Sequence, residues 1–144
     1  MKRLRKFLAL HPIEQRLLVK AALLLGVIRL GLRLLPFRTL WWLLNHAPIG
    51  LPAAKFNPDR IAWAVTVTSP YVLGVRPCLT QALAAQLLLV RRGFSARLHL
   101  GVARGEQGQV QAHAWVEADG KVVIGGSASE LERYTPLLAR DQAP

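Results

Sequence analysis

The hydrophobic period of the chain changes at Gly93. Upstream of it apolar residues recur three and four apart, whereas downstream Ala96, Leu98, Leu100 and Val102 alternate with Arg97, His99 and Gly101. A period near 3.6 describes a helix with one buried face, and a period of two describes a half-buried strand. Helices first and an antiparallel sheet after them is the order of an α+β fold. With 144 residues the chain has enough length for one domain and one core.

The upstream half resolves into helices with recognisable ends. Pro12, Leu17, Leu18, Ala21, Leu24, Leu25 and Ile28 predict one long helix stopped at Pro36. Phe37 to Asn45, with Trp41 and Trp42, predicts a second, followed by a loop from His46 to Pro52. Asn57-Pro58-Asp59 supplies an N-cap, a first-turn proline and an acid for a third helix, which Ser69-Pro70 is expected to stop. After a loop over residues 71–77, a fourth helix opens at Cys78 and closes with Arg91, Arg92 and Gly93. Downstream, Gly105 to Gly108 turns the chain into a strand over 109–118, and Asp119-Gly120 is a two-residue hairpin signal leading to Lys121–Ile124. Ser127 or Ser129 should cap a short helix, with coil after it. The expected organisation is a basic, apolar helical region over 1–56 and a core over 57–144, joined in one compact unit.

Charge is distributed unevenly along the chain. The formal net charge is +11, and residues 1–60 hold eleven Lys or Arg against two acids, while the remainder holds eight against six. Such asymmetry predicts an electrostatic partner for the N-terminal helices. Arg16, Lys20, Arg29 and Arg33 lie largely off the apolar stripe and form the candidate docking surface; a peripheral membrane contact is also open. The run Phe7–Leu10 is too short for a secretory apolar region and Ala21–Ile28 too short to span a bilayer, so a cytoplasmic location is expected. A single cysteine excludes an intramolecular disulfide and fits a reducing compartment.

That cysteine carries the chemistry. Cys78 opens a helix, where first-turn amides favour an anion and can donate to an oxyanion. Thirty-five residues later His113 stands in the strand Ala112-His113-Ala114-Trp115-Val116-Glu117, sharing a face with Trp115 and Glu117. A thiol and an imidazole are the minimal equipment of a cysteine nucleophile and its base. One cysteine and four scattered histidines give no metal-ligand spacing, and no phosphate-cradling glycine loop or nucleic-acid motif is found, so neither cofactor nor specific nucleic acid is expected.

Pro77-Cys78-Leu79 with Ala82, then Leu88 to Ala96, Leu100-Gly101-Val102, and Ala112 to Glu117 with its Gly120 turn resemble the leader peptidase of lasso-peptide biosynthesis, the stand-alone protease half of a split protein. The resemblance covers roughly residues 57 to 138. It implies a transglutaminase-like, papain-like cysteine protease core in which Cys78 attacks the scissile carbonyl and His113 shuttles the proton. It further implies three partners: the precursor peptide with its leader and core, a stand-alone leader-recognition protein, and an ATP-dependent, asparagine-synthetase-like enzyme that closes the macrolactam. The family carries an Asp twelve positions after the histidine, where this chain has Gly125. A turn at Asp119-Gly120 should set residue 113 opposite 126, and both 125 and 126 are glycine. Asp119 is about 20 Å along the strand from His113 and Glu117 about 13 Å. A Cys-His dyad is therefore expected, with His113 oriented by a backbone carbonyl, an amide or water. Trp115, Gln81 and Glu130 are candidate supports of the site. Two other readings compete: a transglutaminase-like acyltransferase, and a non-enzymatic basic module for anionic lipid or nucleic acid.

Overall fold

The computed structural model describes residues 1–46, 57–73 and 78–140. Their elements run α1 (Lys2–Leu8), α2 (Pro12–Leu34), α3 (Phe37–His46), α4 (Pro58–Leu73), α5 (Cys78–Arg91), β1 (Ala96–Arg104), β2 (Val110–Ala118), β3 (Lys121–Ile124), α6 (Ala128–Leu131) and β4 (Thr135–Arg140). The expected loop from His46 to Pro52 and the Pro77 entry to α5 lie outside the described residues, apart from His46, which ends α3.

Helix α2 begins as its sequence directs. His11 is the N-cap, its ring Nδ1 accepting from the Ile13 amide at 3.3 Å, and Pro12 follows at the first helical position. Leu35 is extended before Pro36, which ends the helix. Ahead of it stands α1, a separate short helix inside the region expected to be helical, though no helix was assigned there individually. The Gln15 amide nitrogen lies 3.0, 3.2 and 3.1 Å from the carbonyls of Phe7, Leu8 and Leu10, binding the end of α1 to α2.

Helix α4 continues through Pro70 to Leu73, contrary to the stop expected at Ser69-Pro70. Proline removes the amide that would bond to the carbonyl four residues earlier, here Thr66, and in the last turn that is a small loss. Ser69 is fully buried and packing holds the turn. Arg60 in the first turn pairs with Glu14 of α2, and its guanidinium lies 3.9 Å over the Trp63 ring.

Helix α5 is central. Thr80 and every residue from Ala82 to Leu89 are buried, between α2 and α4 on one side and β1 and β2 on the other. Leu17, Leu25, Ile28, Ile61, Leu83, Leu88, Leu98 and Val116 belong to one continuous core. The N-terminal helices therefore share their interior with the sheet. Fully burying one such aliphatic side chain is worth about 1.5–3 kcal/mol. At the far end, Arg91 donates to the carbonyls of Leu44 and Asn45 at 3.0 and 3.1 Å, closing α3 against α5.

The sheet is antiparallel with order β3-β2-β1-β4. Asp119 and Gly120 both have positive φ, 52° and 79°, the pair of values that a type I′ turn needs, and Ala118 stands opposite Lys121 as expected. The register then slips. Glu117 faces Val122 but Val116 faces Ile124, so Val123 is an extra residue in a bulge, and the expected pairing of 113 with 126 is displaced by one. A second departure is β4, which pairs with β1 where coil was expected. It is an edge strand, which is where Pro136 is tolerated.

Candidate active site

Cys78 is the first residue of α5 and is half-buried. His113 lies in β2, the strand against which α5 packs. Both line one cleft of about 160 Å³, with Gln81, Ile124 and Gly125 in its walls. A thiol borne by a helix and an imidazole borne by a strand thus open into the same small space.

The imidazole is held on one side. Its Nε2 lies 2.5 Å from the Gly125 carbonyl oxygen. A carbonyl oxygen only accepts, so in the neutral ring Nε2 carries the hydrogen and Nδ1 keeps its lone pair. The Val123 bulge and two glycines with φ of 105° and 126° bring this carbonyl to the histidine. A Cβ on Gly125 would sit 2.5 Å from the Trp115 Cβ and 2.8 Å from its Cα, so no side chain fits there in this backbone. Where the resembling family has an aspartate side chain, this chain presents a peptide carbonyl.

On the ring's other side is an aromatic column. His113 stacks on Trp115 with centroids 6.2 Å apart, Trp115 stacks on His99 at 5.3 Å, and Tyr134 lies 5.2 Å from His113. Trp115 is only 5% exposed and forms a buried wall beside the His113 ring. His99 is mostly covered, and its Nε2 lies 3.3 Å from the Glu117 carboxylate. Gly101, opposite His113 in β1, makes room for the column: a Cβ there would lie 2.9 Å from the Trp115 ring.

The other candidates fall in different places. Gln81 lines the cleft and donates to the Ser69 hydroxyl at 2.7 Å, joining α5 to α4. Glu130 accepts from the Ser127 amide at 3.0 Å, and Ser127 caps α6 in return, so this carboxylate serves a capping box and does not reach His113. Asp119 stays in its turn. Of the four candidate docking cations, Arg16 and Arg33 are exposed, while Lys20 and Arg29 are half-buried and Arg29 reaches the Val72 carbonyl at 3.4 Å. Gly125 was expected near His113, with a backbone carbonyl among three possible orienting groups, and the carbonyl is the one found. Sequence reasoning missed Tyr134 as a neighbour of His113, and nothing in the sequence marked it.

A cysteine at a helix start, packed on an antiparallel strand that carries a histidine, gives an α+β architecture of papain-like type. The family model of the transglutaminase-like superfamily matches residues 22–139, and the chain belongs to that superfamily. Its members are usually cysteine peptidases or acyltransferases. The match begins inside α2, upstream of the stretch that carried the sequence resemblance. No curated protein and no solved structure matches the chain.

Proposed function

We propose that this protein is a cysteine peptidase that removes the leader from a ribosomally made lasso-peptide precursor before a partner enzyme closes the core's macrolactam. The observation that carries the chemical half of this reading is the shared cleft of Cys78 and His113, with the Nε2 hydrogen of His113 committed to the Gly125 carbonyl. The biological half rests on the resemblance of Pro77-Cys78-Leu79 and Ala112 to Glu117 to leader peptidases.

In this mechanism His113 Nδ1 takes the Cys78 proton as the sulfur attacks the scissile carbonyl carbon. Amides at the start of α5 receive the oxyanion. Collapse breaks the C–N bond, and the imidazolium returns the proton to the leaving amine. His113 then deprotonates a water that attacks the thioester, releasing the leader carboxylate and the thiol. A leader-recognition protein delivers the precursor and an ATP-dependent, asparagine-synthetase-like cyclase takes the core; the peptidase itself needs no cofactor.

The experiment is mass spectrometry of a precursor incubated with its recognition protein and either the wild-type chain or Cys78→Ala. Cleavage at one bond by the wild type alone is expected. An amine adduct in place of hydrolysis assigns the acyltransferase reading instead. An intact precursor in both samples, with the recognition protein shown to bind, removes the peptidase.

A further inference from the structure

Helix α2 is apolar on two opposite faces. Leu17, Leu18, Ala21, Leu24, Leu25 and Ile28 are buried. On the other side Val19, Leu23, Val27, Leu30 and Leu34 recur three and four apart and are 48, 65, 57, 59 and 71% exposed. At ~1.5 Å per residue this outer stripe is about 22 Å long. It runs into a groove of about 620 Å³ between α1, α2 and α4, walled by Phe7, Leu10, Val19 and Val72 with Arg3 and Lys6 beside them.

A helix face turned to water ordinarily carries polar residues, and a helix apolar all round has a second apolar phase to meet. Cations surround this one. Lys2, Arg3, Arg5, Lys6, Arg16, Arg33 and Arg38 are exposed. The two acids in residues 1–60 are both engaged, Glu14 with Arg60 and Asp59 with Lys121. The occupant must therefore be apolar and anionic together. Protein interfaces add hydrogen bonds at about one per 100–200 Å², whereas no side chain of the outer stripe can donate or accept one. Aliphatic residues flanked by Lys and Arg are the composition of a helix lying in a lipid interface.

We propose that α1 and the outer face of α2 dock the protein on anionic phospholipid bilayers, with the Val19 to Leu34 stripe at the boundary of headgroups and acyl chains. The groove admits acyl carbon, and Arg3, Lys6 and the exposed cations of α1 hold lipid phosphates. Among the described residues no helix is long and apolar enough to cross a membrane, so contact by these helices is in the plane of the interface. The cleft of Cys78 and His113 shares no residue with this surface, and the proposal stands independently of the peptidase reading.

The test is co-sedimentation of the full chain with vesicles of phosphatidylcholine alone and of an equal mixture with phosphatidylglycerol. Binding to the mixed vesicles only is expected, weakening as salt rises. Leu23→Gln with Leu30→Gln should weaken partitioning at least about tenfold, with an unchanged melting curve since both side chains are exposed. In the unaltered chain, lipids brominated on their acyl chains should quench tryptophan fluorescence, because Trp63 lines the groove. Absence of binding at low salt, binding that the double substitution leaves intact, or lack of quenching would each overturn the proposal. So would a stable dimer dissociated by the same substitutions, which would make the stripe a self-interface.

Discussion

The Nε2 atom of His113 and the carbonyl oxygen of Gly125 lie 2.5 Å apart, twelve residues from one another in sequence and joined through a bulged hairpin. A peptide dipole orients the ring here and offers partial negative charge to an imidazolium. A carboxylate would offer a full charge, and charge-assisted hydrogen bonds are roughly twice as strong as neutral ones. The proposed dyad thus fixes the tautomer of its base through a neutral acceptor.

Restoring the family's aspartate should not restore a triad. Gly125→Asp places a Cβ on a residue with φ of 105° and against the Trp115 backbone. The expected cost is about 2–4 kcal/mol, read as a lower urea midpoint, without any gain in cleavage rate. A variant that is as stable as wild type and faster would mean that the hairpin rebuilds to admit the carboxylate.

Two carboxylates, Glu130 and Asp119, should prove structural and not part of the catalytic machinery. Glu130→Ala removes half of the Ser127 capping box and should cost about 1 kcal/mol, with the cleavage rate within about twofold of wild type. Asp119→Ala puts a β-carbon without a turn-stabilising side chain at φ 52° and should also lower stability by about 1 kcal/mol. Neither touches His113. A large rate loss from Asp119→Ala, at unchanged stability, contradicts the observed register.

What was legible in the sequence was what local rules govern. The span of α2, the N-terminal place of Cys78 on α5, the alternation of β1 and β2 and the Asp119-Gly120 turn follow from periodicity and cap or turn chemistry within a few residues. The elements that escaped are set by distant partners. Thr135 to Arg140 is a strand because β1 offers it a free edge, and its Pro136 argued against one. Val123 reads as ordinary strand and becomes a bulge only in pairing. His99 alternates with apolar residues as surface positions do, yet the Trp115 ring covers it. At the site, Cys78 and His113 were legible as residue types with a chemistry. Glycine at 125 left a backbone carbonyl, an amide or water to orient His113, and the choice of the Gly125 carbonyl is made by the bulged pairing, which no side chain announces.

Pro70 gives a test of the helix that the sequence reading ended too soon. Its side chain is exposed and it sits one turn before the end of α4. Pro70→Ala restores an amide within reach of the Thr66 carbonyl and removes ring crowding, against a gain in unfolded-chain entropy of up to about 1 kcal/mol. The expected net effect is a stabilisation of about 1 kcal/mol, seen as a higher melting temperature. A loss of stability would show that the proline is needed to shape the turn that holds Ser69 against Gln81.

The four cations Arg16, Lys20, Arg29 and Arg33 do not act as one unit. Arg29 is half-buried and reaches Val72 of α4, so Arg29→Gln should lower the melting temperature whatever its part in docking. Arg16→Gln with Arg33→Gln isolates the exposed charge. If these helices dock the leader-recognition protein, that pair should weaken its capture by about tenfold, while the rate at which iodoacetamide alkylates Cys78 stays unchanged. Capture that survives the pair, with vesicle binding reduced, would assign the basic surface to lipid and leave the partner to dock elsewhere. Loss of both would place protein and membrane on one face, in competition for it.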